Sequence, residues 1–77
     1  MEDKDLTFGQ KAVGLTFNPS NNGDVDEVKR LYADVIDGLD VLRNKDVSPE
    51  KKRLASIAIT EAQTAQMWAV KAITWKD

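Results

Sequence analysis

The sequence predicts an all-α fold: an antiparallel helical hairpin with a short N-terminal helix and arm, assembled as a homo-oligomer. Three observations carry this expectation. Val25, Val28, Tyr32, Val35, Leu39 and Leu42 follow one another at spacings of 3, 4, 3, 4 and 3, the seam of two helices packing at a shallow angle. Ser48-Pro49 restarts a helix, with Ser as N-cap and Pro at the first helical position. From Leu54 to Val70 only Glu61 is charged, and a helix uncharged around most of its girth is buried on more than one side.

The elements follow in chain order. Residues 1–23 form the arm and its loop. Within them Asp5 to Val13 is a short helix, capped by Asp5, supplied with apolar contacts by Leu6, Phe8 and Val13, and ended by Gly14. A turn-forming tract, Asn18-Pro19-Ser20-Asn21-Asn22-Gly23, then leads to the hairpin. The first long helix covers residues 24–45, with Asp24 and Glu27 as a capping box. Leu31 and Ile36 widen its seam, and Gly38 in mid-helix marks a close approach by a neighbour. A short polar turn leads to the second helix, 48–75, and a short connection makes the pair antiparallel.

Two stripes run along the second helix. One is small: Leu54, Ala58, Ala62, Ala65, Ala69 and Ala72. The other is Ile59, Gln63, Gln66, Val70 and Ile73. One partner helix cannot cover both: the plainer reading makes this helix the middle of a small bundle with the N-terminal arm over it, and the favoured reading is a subunit interface, because a lone hairpin of 77 residues has a thin core. Packing between subunits is therefore expected, with Ser, Thr and Gln bonded across the interface.

Composition removes several function classes. Cys and His are both absent, so there is no disulfide framework, no thiolate metal site and no imidazole base. No phosphate loop, zinc motif or nucleophile elbow is present. The chain reads as a non-enzyme without cofactor or metal. Asp34, Asp37 and Asp40 share helical spacing, but read as a solvated flank rather than a metal cluster. Eleven basic and thirteen acidic residues give a net charge of −2, against duplex nucleic-acid binding, which draws on a basic excess. The acidic start, Met1 to Asp5, has no apolar run behind it, and no stretch is apolar enough to span a bilayer. A soluble, intracellular protein is expected.

Binding suits the remaining residues. A site for a nucleotide-like anion needs a flat ring for stacking, cations for phosphate and amides for base edges. Phe17 offers the ring, and Asn18, Asn21 and Asn22 offer amides. Lys29 stands one turn into the first long helix, Lys11 in the arm, and Arg53 in the first turn of the second helix. Each has a plainer reading: a ring packed over the hairpin, turn-forming amides, solvated cations. Together they outline a small polar-anion pocket and do not name its ligand.

The stretches FGQKAVGLTFNPS (Phe8 to Ser20), VKRLYADVIDGL (Val28 to Leu39) and KRLASIAITEAQTAQMWAVKAITWKD (Lys52 to Asp77) resemble small phage proteins built on the anti-CBASS/anti-Thoeris hairpin domain. That resemblance implies a sponge. Such proteins bind the cyclic nucleotide messengers of bacterial antiviral defence (cyclic di- and trinucleotides, or cyclic ADP-ribose isomers) and withhold them from effectors without cleaving them. It also implies dimers and commonly hexamers, ligands at subunit interfaces, and action in the cytoplasm of the infected bacterial host. Residue by residue, Phe17 and Asn18 stand nearest the family's motif before the first long helix. Lys29 in VDEVK matches its early lysine. Arg53 precedes the Ile57-Ala58 pair. Asn18-Pro19-Ser20 replaces a common Tyr-Arg step, and Ile59 stands where an Arg is frequent. The alternative is a hairpin adaptor that binds a host or phage protein through its apolar second helix, anchored by Trp68 and Trp75.

Overall fold

The computed structural model describes residues 5–77. The first four residues of the acidic start read above lie outside them. The described residues hold three helices: α1 at Phe8–Ala12, α2 at Gly23–Arg43 and α3 at Pro49–Thr74. The last two form the hairpin, and α1 lies against α2.

The short helix α1 begins at Thr7, not at Asp5. Thr7 accepts from the Gln10 amide at 3.1 Å, and the Gln10 side chain accepts from the Thr7 amide at 3.0 Å. This reciprocal box satisfies two of the free donors of the first turn, which a lone Asp two residues earlier does not reach. Gly14, with φ of 64°, ends α1. Gly14 N–H donates to the Lys11 carbonyl and Leu15 N–H to the Gln10 carbonyl, the paired bonds of a Schellman motif.

The N-cap of α2 is also displaced from its expected place. Asn22 caps the helix, its side chain accepting from Asp24 N–H at 2.8 Å. Asp24 and Asp26 sit instead in the first turn, where carboxylates complement the helix dipole. Ser48 caps α3, accepting from Lys51 N–H at 3.1 Å, with Pro49 behind it.

Burial on α2 is rotated from the expected seam. The buried line is Val25, Lys29, Ala33 and Ile36, while Val35 and Leu31 are 52% and 59% exposed. The cause is α1, which settles on the Ala33 and Asp37 side of α2 and draws the centre of burial around the helix. Gly9 makes this contact possible. Its N–H donates to Asp37 Oδ1 at 2.6 Å, and a Cβ there would overlap the Ala33 carbonyl. Asp37 is thus half-buried and bonded, and Asp40 pairs with Arg43 at 2.8 Å; of the expected solvated flank, only Asp34 is fully exposed.

The core joins Val13 and Leu15 from the arm to Ala33 and Ile36 of α2 and Ile59 of α3. The arm therefore fills one side of the groove between the long helices. Ala55, Ile59 and Gln66 are the buried residues of α3. Overall extents are 45 × 30 × 12 Å. Two stacked helices would span roughly 13–15 Å across their Cα atoms, given ~8–10 Å between axes and a Cα cylinder ~4.6 Å wide. The chain is thus a plate less than two helical layers thick, whereas domains bury their apolar faces between two layers. Leu31 and Val35, on the side of α2 turned from α1, Leu54, Ile57 and Trp68 on α3, and Trp75 just beyond it are exposed. Among the described residues, no atom beyond the adjoining backbone of α2 lies within 4 Å of a Cβ added at Gly38, so no packed neighbour among them accounts for that glycine.

Candidate functional site

The groove at the open end of the hairpin lies where the loop after α1 meets the start of α2 and the last turns of α3. The Schellman turn at Gly14 directs the chain back across α2, and Phe17 N–H donates to the Gly14 carbonyl at 2.9 Å. This leaves the Phe17 ring 69% exposed. A ring so placed does not plug the core; it forms a wall.

Lys29 fixes that loop. Its side chain is only 5% exposed, and its ammonium donates to the Gly14 carbonyl at 3.0 Å and to the Phe17 carbonyl. The ammonium also lies 5.7 Å from the centre of the Phe17 ring, within reach of a cation–π attraction. Burial of an ammonium is costly unless it is bonded, and the two carbonyls supply those bonds. The plainer reading of Lys29 as a solvated cation is therefore overturned.

Asn18 has a scaffold role in this arrangement. Its Nδ2 donates to the Asn22 carbonyl at 2.9 Å and to Asp26 Oδ1 at 3.0 Å, and its Oδ1 accepts from Ser20 Oγ at 2.6 Å. Both amide ends are engaged inside the loop. Asn21, with φ of 57°, makes the left-handed step that lets Asn22 cap α2; Asn tolerates this region better than most residues.

A cavity of about 430 Å³ opens beside the ring, lined by Phe17, Asn18, Pro19, Lys29, Val70 and Thr74 among others. A second, of about 520 Å³, lies on the arm side and includes Lys11, Phe17, Lys29, Gln66, Met67 and Val70. Both fall in the size range of small-molecule sites. The structure therefore brings Phe17, Asn18, Lys29 and Lys11 to one groove. Arg53 stands apart. It is about 25 Å along α3 from Val70, at 1.5 Å per residue, and pairs with Glu50 at 2.7 Å on the surface. That guanidinium holds the Glu50 carboxyl below the usual glutamate range, and Glu50 raises Arg53 in turn.

The sequence pattern puts Gln66 in a stripe of α3 and marks it with no site role. The structure puts it in the floor of the second cavity, 6% exposed. The only advance signal was a polar residue on the buried face of α3. Among the described residues no group of carboxylates is placed to hold a metal ion, and no helix is long and apolar enough to cross a membrane.

The family model described as the Acb2/Tad1 hairpin domain matches residues 10–74. No curated protein and no solved structure matches the chain.

Proposed function

The chain belongs to the Acb2/Tad1 hairpin-domain family, the anti-CBASS/anti-Thoeris sponge family, and from that premise we propose that it sequesters cyclic nucleotide messengers without cleaving them. The messengers are cyclic di- or trinucleotides or cyclic ADP-ribose isomers, and the place of action is the cytoplasm of a phage-infected bacterium. One observation carries the reading: an exposed aromatic ring held against a buried ammonium on the wall of an open groove. A ring offers a sequence-tolerant stacking face to a base. Lys29 and Lys11 supply positive charge near a phosphate.

Each proposed ligand residue has its own role. Phe17 stacks, Lys29 fixes the loop and biases the groove toward anions, Asn18 shapes the loop, and Lys11 faces the second cavity. Arg53 belongs to a different surface of the same chain and serves a ligand there only if a second subunit brings its own residues to it.

The assembly is a homo-oligomer, dimer to hexamer. Support comes from the thin plate and from Leu31, Val35 and Leu54 left uncovered on it, since large apolar residues exposed together mark an interface. A second copy deepens a groove that one chain leaves open. Sequestration then works by mass action, with protein sites in excess over messenger.

The adaptor reading keeps one supporting observation: Trp68 and Trp75 are 65% and 63% exposed. An effector assay separates the two. Messenger preincubated with the protein should fail to activate its effector, and heating the mixture should release active messenger. Activation undiminished by excess protein, or messenger destroyed on release, would refute sequestration.

A further inference from the structure

Phe17, Lys29 and Val70 line both cavities of the groove. These three residues stand between two compartments of the groove, and of them Phe17 has the exposed ring. Their remaining linings differ: Pro19, Ser20 and Thr74 mark the first, Lys11, Gln66 and Met67 the second.

Gln66 is the unexplained group in the second compartment. It is more than nine-tenths buried, yet among the described residues its amide bonds to no protein group. Gln63, less than one turn earlier on α3, does have a partner, donating to the Ala12 carbonyl at 3.5 Å. Buried amides are ordinarily bonded. Among the described residues no polar side-chain atom is sealed away without a partner, so the Gln66 amide opens onto the cavity it lines. A glutamine amide carries two donors and an acceptor in one plane. That pattern matches the edge of a nucleobase with a donor beside an acceptor, as adenine presents. The face of such a base would stack on Phe17.

Building on the sponge reading, we infer that Gln66 binds the base edge of the ligand in the second compartment, and that the groove takes two ring-bearing units, one on each side of Phe17. Gln66 is then a ligand-contacting and specificity-determining residue, not a packing residue of α3.

The test titrates wild type and Gln66→Met with cyclic di-adenylate, cyclic tri-adenylate and cyclic ADP-ribose. Met keeps the volume and removes the amide. Removing an unbonded amide should leave melting temperature and assembly mass unchanged or slightly raised. The ligand that wild type binds should be bound at least tenfold more weakly by the variant. A second comparison needs no variant to fold: the same ligand made with unsubstituted purine in place of adenine should bind wild type at least tenfold more weakly. The variant should then distinguish the two ligands less than threefold. Equal affinity of wild type and variant, or equal binding of adenine and purine ligands by wild type, overturns the role of Gln66 and leaves the sponge reading standing. No binding of these adenine ligands by wild type overturns the role of Gln66, and no binding of any cyclic di- or trinucleotide or cyclic ADP-ribose isomer overturns the sponge reading with it.

Discussion

Replacing Gly9 by Ala tests the contact that holds the arm in place. In an ordinary helix position the change would stabilise by about 0.5–1 kcal/mol, because Gly loses more backbone freedom on folding. Here the new Cβ would overlap the Ala33 carbonyl oxygen and lie 2.8 Å from Asp37 Oδ1. The first clash is with backbone, so no side-chain rotation relieves it. Overpacking costs about 1–3 kcal/mol. If α1 backs away, Gly9 N–H loses its 2.6 Å bond to the Asp37 carboxylate, and bonds to charged groups contribute about 1.5–3 kcal/mol. The terms overlap, since retreat exchanges one for the other. Net destabilisation of about 2–4 kcal/mol is expected, a large share of the few to ~12 kcal/mol available to a chain this short. Urea denaturation followed by circular dichroism at fixed protein concentration measures it. Amide exchange should rise in residues 8–15 first. Gly38→Ala is the control, with no packed neighbour near its Cβ among the described residues, and should not weaken the protomer. A gain of stability for Gly9→Ala would refute the packing argument.

Other substitutions follow from the same geometry. Phe17→Ala should lower ligand affinity roughly 5- to 150-fold, the worth of ~1–3 kcal/mol of stacking, with little change in melting because the ring is exposed. Lys29→Met removes the ammonium from the Gly14 and Phe17 carbonyls; stability should fall by about 1–3 kcal/mol, and titration calorimetry should show weakened binding as the loop loosens. Leu31→Asp with Val35→Asp puts two charges on the uncovered side of α2, and light scattering should then give a single-chain mass with helical content retained.

The long helices were legible because their signals are local. Ser48-Pro49 sets the start of α3, and the apolar spacing set α2, whatever packs against them. The buried line of α2 was not legible. It depends on where α1 docks, and that is decided by Gly9, a residue whose importance lies in the Cβ it lacks. The caps slipped for a related reason: Thr7 and Asn22 won over Asp5 and Asp24 because each reached an amide in its own first turn. The groove residues Phe17 and Lys29 stood out by type, but the use of Lys29 as a clamp on two carbonyls needs the loop folded back over α2. Asn18 reads as a ligand amide; it lines the cavity, and its amide is also engaged by Asn22, Asp26 and Ser20, which needs the folded loop to be seen. Gln66 was hidden among the other uncharged residues of α3, since only burial shows which glutamine has a cavity before it.

The most direct test of the central claim is calorimetric titration of the purified protein with cyclic di- and trinucleotides and a cyclic ADP-ribose isomer, with light scattering on the same sample. The account predicts saturable binding of at least one ligand by a homo-oligomer, and recovery of that ligand intact after denaturation. A folded protein that binds none of them, or returns a cleaved product, would contradict it.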